Sequence, residues 1–416
     1  MEIPPRFTQN VKLGHGVARI AIYSAFLSTR LEKSSILINW IKSRKCSAML
    51  AKHQDFRIWI FRIMGSIGIS GERIMMKPWV IASFVLLAML FLTAITFGET
   101  LKYKGSPNLP GSGKHVVLIS GDEEYRSEEM VVQFARILSR HHGFDCTVLF
   151  AIHPVSGEID PTWLANIPGL ETLKTADVAV FFLRFRDLPE DQMQLIDDYL
   201  KSGKSVLGIR TSTHAFNVKK YTKFNRYSFD NTRIFGEWEQ GFGRRVLGET
   251  WIEHHGDHGK EATRGVIVPE QKDNPIVRGC DDIFGPTDVY RVRLPLPADS
   301  KPLVLGQVLT GMTPDSKPVE GPKNNPMMPI AWTKSYQIDD GRPGKAFAST
   351  IGSSQDFQSE GVRRLLVNAV YWLAGMEDKI PDRSNVDIVG RYDTLPMGFG
   401  KFKKGLKPKD FEKIDE

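Results

Sequence analysis

The stretch Ser205-Val-Leu-Gly-Ile-Arg-Thr-Ser-Thr-His-Ala-Phe216 decides the fold of this chain. Val206, Leu207 and Ile209 make a short apolar run suited to a buried strand, and the sequence then turns abruptly polar. Arg210, Thr211, Thr213 and His214 follow just past the strand's carboxyl end, where ligands bind in open α/β sheets. The layout is that of a nucleophile elbow, a strand-to-turn corner that lifts one reactive side chain. Here the tip is an arginine, neither Ser nor Cys.

The sequence before this elbow alternates strand and helix. His115–Ser120 reads as a buried parallel strand. Ser127 is placed to N-cap a helix with Glu128 and Glu129 in its first turn, Val131, Phe134 and Leu138 on one face, and Gly143 as its stop. Asp145–Ala151 and Asp177–Leu183 are further strands whose continuous apolar runs suit burial on both faces. Asp187 and Pro189 open a second helix with Met193, Ile196 and Leu200 inward, ending at Gly203. Strands and helices at this spacing predict an α/β fold with a parallel, doubly wound sheet. Val266–Pro269, Val289–Leu294, Leu303–Val308, Pro329–Thr333 and Ala346–Ile351 are additional C-terminal strands, and Ser359–Ala374 is a closing amphipathic helix. From Asp378 the chain is polar and rich in Gly and Lys, an irregular tail expected to wrap the surface.

Of 416 residues, 41% are hydrophobic and 10% aromatic, enough for a real core. The net charge of +7 is misleading, because residues 1–74 carry 12 Lys/Arg against 4 Asp/Glu and leave the remainder near neutral. A nucleic-acid partner is therefore not expected. Cys46, Cys146 and Cys280 match neither a disulfide framework nor a zinc spacing. Lys77-Pro78-Trp79 precedes an uncharged run, Val80–Phe97, with the layout of a secretory signal peptide or a signal anchor. The expected organisation is a leader over 1–74 with no promise of a folded domain, a signal or anchor over 75–98, a linker over 99–113, one domain over 114–376 and a tail over 377–416. Translation from Met75 or Met76 is one account of the leader, and a cytoplasmic extension is the other. Export, with membrane contact only through the apolar segment, is the expectation.

Two groups of residues could carry chemistry. Asp122, Glu123 and Glu124 follow the first strand, Arg184 follows the third, and Arg210 and His214 follow the elbow strand; if those strands are neighbours, the tips meet in one polar cleft. Asp122 and Glu123 can bind hydroxyls or orient a histidine, and Arg184 needs an anion after so apolar a run. The second group is Trp251-Ile-Glu-His-His-Gly-Asp-His258. His254, His255 and His258 could ligate a divalent ion, but Gly256 and Gly259 break any helical spacing, so a pocket-lining histidine loop with a proton donor is the preferred reading. Two glycine motifs, Gly111–Lys114 and Gly241–Gly248, have the wrong spacing or placement for phosphate loops.

At Ser120-Gly-Asp-Glu123, Val206-Leu-Gly-Ile-Arg210, Trp251–His258, Asn274-Pro-Ile276, Asp288-Val-Tyr290 and Val367–Gly375 the chain resembles the trehalose-utilisation (ThuA-like) family of the class I glutamine amidotransferase-like superfamily. The resemblance covers roughly residues 114–376. It implies a flavodoxin-like, mostly parallel sheet and a carbohydrate ligand. It also implies an elbow cysteine in the wider superfamily, whose place Arg210 takes here; a permanently protonated guanidinium cannot be a nucleophile. Glutamine hydrolysis is not expected. ThuA-like proteins commonly carry histidine at that point and a Gly-His pair where this chain has Gly352-Ser353.

The resulting expectation is an exported protein that acts on or binds a sugar or sugar derivative. His214, His254, His255, Asp122 and Glu123 are the candidate catalytic groups. Arg184, Arg210, Thr211, Tyr125, Trp251 and Asp288 are the candidate substrate-binding groups. No cofactor is expected; a metal-dependent hydrolase built on His254, His255 and His258 is the lesser alternative, beside a binding module without turnover.

Overall fold

The computed structural model describes residues 100–219, 223–231 and 238–414. The proposed leader and the Val80–Phe97 run lie outside the described residues. Among the described residues no helix is long and apolar enough to cross a membrane.

The strands are β1 (Leu101–Tyr103), β2 (His115–Gly121), β3 (Asp145–Phe150), β4 (Val178–Leu183), β5 (Ser205–Ile209), β6 (Thr263–Ile267), β7 (Phe284–Gly285), β8 (Lys301–Val308), β9 (Met328–Tyr336) and β10 (Gly344–Ser349). They form one sheet in the order β1-β3-β2-β4-β5-β10-β9-β8-β6-β7. The centre, β3-β2-β4-β5-β10, is parallel. Its strands are buried on both faces, as the apolar runs Val116–Ile119 and Val178–Leu183 require.

The other half of the sheet corrects the expectation of a mostly parallel one. β10-β9-β8-β6-β7 is antiparallel throughout, and β1 adds an antiparallel edge beside β3. The reason is connection length. A parallel return needs a crossover of a dozen residues or more, whereas only Gln337–Pro343 separate β9 from β10. The stretch expected as linker thus supplies β1. Val289–Leu294, expected as a strand, makes only an isolated bridge, Tyr290 to His254.

Three α-helices are seen among the described residues: α1 (Ser127–His142), α2 (Glu190–Lys201) and α3 (Glu360–Leu373). α1 links β2 to β3 and α2 links β4 to β5 in the opposite direction, so right-handed crossovers put them on opposite faces. α3 lies beside α1, with the Tyr371 hydroxyl 3.0 Å from His142 Nδ1. Ser359 caps α3, its side chain accepting from the Val362 N–H. Ser127 does not cap α1: Arg126 is the N-cap, in left-handed conformation, while the Ser127 hydroxyl meets Ser120 and the Asp122 backbone. The Gly241–Gly248 turn packs against the elbow, and a Cβ on Gly243 would stand 2.0 Å from the Thr213 carbonyl oxygen. Gly241 and Gly243 serve close backbone approach.

Candidate functional site

Three strand ends supply the floor. In chain order β3 falls on one side of β2 and β4 on the other, so the crevice between β2 and β4 is a topological switch point. The residues just beyond β2, β4 and β5 include Arg126, Phe185 and Arg210, all at positive φ (57°, 52° and 47°). Left-handed backbone on such bulky residues costs about 1–2 kcal/mol each and must be held by its surroundings.

Arg210 is held through its two Nη atoms and by two aromatic rings. Its side chain is buried, and Nη1 donates to the Asp288 and Thr350 carbonyl oxygens, each at 2.7 Å. Nη2 donates to Asp288 Oδ1 at 2.9 Å and to the Tyr125 hydroxyl at 3.2 Å. The guanidinium carbon lies 4.4 Å from the Tyr125 ring centre and 4.0 Å from that of Tyr290. Both Nη atoms of Arg210 are therefore engaged by protein groups, and its ion pair is with Asp288.

Asp288 passes that charge to two histidines. Its Oδ2 lies 2.7 Å from His254 Nδ1, and its Oδ1 lies 3.0 Å from His258 Nδ1. Burial would raise the Asp288 carboxyl, but the Arg210 charge and the imidazole hydrogen bonds outweigh it and hold the group well below the usual carboxylate range. An ionised carboxylate accepts only, so both Nδ1 atoms carry the proton and Nε2 of each ring is left free of Asp288. The hydrogen bond to Asp288 raises the His258 imidazole above its ordinary value. Both imidazoles are 37% exposed and their ring centres are 4.8 Å apart. His258 Nε2 also lies 3.6 Å from Glu124 Oε1, and burial, then the Asp122 charge, raises the Glu124 carboxyl.

The histidine loop is fastened to this floor through its backbone: the His255 and Gly256 N–H groups both donate to the Val289 carbonyl, at 2.8 and 3.1 Å. His255 itself points elsewhere, Nε2 to the Lys323 carbonyl oxygen at 2.8 Å. The three histidines of the loop thus do not converge. The metal-capable group among the described residues is His254, His258 and Asp288, whose ligand atoms lie within 4.8 Å of one another.

The remaining candidates divide between floor and rim. Asp122 is buried, accepting from the Glu124 and Tyr125 N–H groups and, at 2.7 Å, from the Thr211 hydroxyl. Asp122 and Thr211 thereby tie the β2 loop to the elbow. Glu123 pairs with Arg184 and lies 3.5 Å from Arg186. His214 is buried between the rings of Phe185, Phe229, Trp251 and Tyr290, and burial holds its imidazole well below the ordinary value, hence neutral. Trp251 lies at the partly exposed edge, 5.8 Å from the His254 ring centre. Glu124 was overshadowed in the sequence by its neighbours, because the phase of a turn decides which of three consecutive acids faces His258.

A model of the family described as trehalose utilisation, ThuA, matches residues 116–373. The chain belongs to the ThuA family. Two solved structures of ThuA-like proteins are similar to it. One, from Bacteroides uniformis, is 17% identical, with 65% of this chain and 95% of that one covered and a TM-score of 0.37. The other, from Parabacteroides merdae, is 15% identical, with 63% and 90% covered and a TM-score of 0.39. Among curated proteins none matches. β1 and all of the chain after α3 lie outside the ThuA match.

Proposed function

We propose that this ThuA protein works outside the cytoplasm on a sugar or sugar derivative, with His254 and His258 moving protons at the cleft. The observation that carries this reading is the shared carboxylate of Asp288, which occupies Nδ1 of both rings and turns both Nε2 atoms into the acid–base positions. A hydroxyl or carbonyl between them could be protonated by one ring and deprotonated by the other. Sugars present such groups along the whole ring, and the family's description supports a sugar ligand. The apolar run Val80–Phe97 supports export or anchoring.

The test is a thermal-shift screen of the full chain against glucose, trehalose and their oxidised forms, followed by chromatography of incubated samples. Stabilisation with product formation is expected. His254→Ala and His258→Ala should each lose about 100-fold in turnover while keeping most of the stabilisation. Absence of stabilisation by every sugar would overturn the reading, and stabilisation without product would make the cleft a binding site. A second reading, a divalent metal on His254, His258 and Asp288, is supported by the donor set, which suits zinc. Metal analysis of the purified protein tests it, with zinc near one equivalent in wild type and lost in His254→Ala as the expected result.

A further inference from the structure

We propose that Phe399, brought back to the cleft by the C-terminal tail, is the platform on which the sugar ring stacks. The inference rests on the sugar reading above and names a specificity-determining residue for it outside the ThuA match.

The tail segment around Phe399 is fastened to the loop that carries Glu124. The Gly398 N–H donates to the Glu124 carbonyl oxygen at 2.7 Å, and the Gly398 carbonyl accepts from Arg126 Nη2 at 3.1 Å. The Met397 N–H donates to Gln355 Oε1 at 3.3 Å, and the Leu395 N–H reaches the Glu129 carboxylate at 3.2 Å. Gly398 (φ 126°) and Gly400 (φ 69°) flank the residue in conformations that favour glycine. So anchored a segment holds its one aromatic side chain in a defined place.

That side chain is nonetheless 60% exposed. The Arg184 guanidinium carbon lies 4.9 Å from the Phe399 ring centre and 4.3 Å from that of Phe185. Arg184 Nε lies 3.5 Å from Glu124 Oε2, and the other Glu124 oxygen faces His258. A single carboxylate therefore spans from the guanidinium under Phe399 to the acid–base pair. An aromatic ring with open area at the edge of a polar cleft suits the C–H face of a pyranose, whose hydroxyls point sideways toward charged groups. Tyr125 and Tyr290 are buried against Arg210 and offer no such area, and Phe185 and Trp251 are only partly exposed.

Isothermal titration of the full chain with trehalose, methyl glucoside and the open-chain polyol sorbitol tests this. Phe399→Ala and Phe399→Leu should bind the two pyranosides about five- to tenfold more weakly, with Phe399→Trp near wild type and sorbitol affinity the same in all variants. Leucine keeps an apolar cover on Arg184, so its loss of affinity separates stacking from packing. Equal pyranoside affinity in wild type and Phe399→Ala overturns the Phe399 assignment alone. Wild type that binds none of the three probes overturns the sugar reading and this inference together.

Discussion

Asp288 concentrates the electrostatics of the site in one carboxylate. It neutralises a buried guanidinium and fixes two imidazoles, so removing its charge strands Arg210 without a counter-ion. Breaking one partner of such a pair typically costs about 3–5 kcal/mol. Asp288→Asn should lose that much in urea unfolding, and Arg210→Met combined with it should recover part of the loss. A double mutant no more stable than Asp288→Asn would show that the pair is not coupled. His258 gives a pH signature of its own. Its value in the folded protein is raised, so the stability it contributes is fully present below about pH 6.5 and is lost as pH rises through the folded value. The Tm deficit of His258→Gln should therefore be largest near about pH 6 and shrink above neutrality. At this scale the sequence was partly legible. A histidine-rich loop announces itself, but nothing in Thr-Asp-Val-Tyr tells which nitrogen Asp288 will hold, since that depends on a contact across 34 positions of chain.

At the level of elements, the start of α1 departs most from expectation. Ser127-Glu128-Glu129 has the composition of a solvated, capped helix start, and acids there normally gain from the helix dipole. The structure instead buries this turn beneath the tail, with Glu128 3.7 Å from Arg126 Nη1 and Glu129 accepting from Leu395. Burial pushes Glu128 up to about 8 and Glu129 up to about 7. A carboxyl raised on folding favours the folded state while protonated, and stability falls as pH climbs from the unfolded value of about 4.3 through the folded one. Glu129→Gln, which cannot ionise, should gain about 2–4 °C of Tm relative to wild type between about pH 5 and pH 8. A constant difference across that range would mean that Glu129 is charged throughout. Local sequence could not disclose this, because the covering segment lies more than 260 positions away. The strands, by contrast, were readable wherever a continuous apolar run sat between turn residues, as at Val178–Leu183 and Val206–Ile209.

For the molecule as a whole, the parallel centre could be read from alternation, whereas the antiparallel wing and the closing of the β1 edge could not. Apolar runs such as Leu303–Val308 reveal burial but not direction, which the short Gln337–Pro343 connection settles. The edge is settled by two segments outside the ThuA match that meet each other. The Tyr103 hydroxyl of β1 donates to the Phe411 carbonyl oxygen at 2.6 Å, and Arg136 of α1 reaches the Phe411 and Lys413 carbonyls, each at 3.0 Å. Earlier in its course the tail satisfies two buried arginines of α3: Arg363 donates to Val386 and Arg364 to Ser384. The tail therefore satisfies buried cationic side chains on two helices, and deleting it in stages should have graded effects. Ending the chain after Gly405 leaves Tyr103 and Arg136 to water at the sheet edge, where the groups can be solvated, and a Tm loss of about 2–5 °C is expected. Ending it after Lys379 also removes one tail carbonyl each from Arg363, Arg364 and His142 and uncovers the α1 start, which should abolish a cooperative transition by circular dichroism. If the shorter chain melts as sharply as the longer one, the tail is a surface appendage and its contacts with α1 and α3 contribute no net stability.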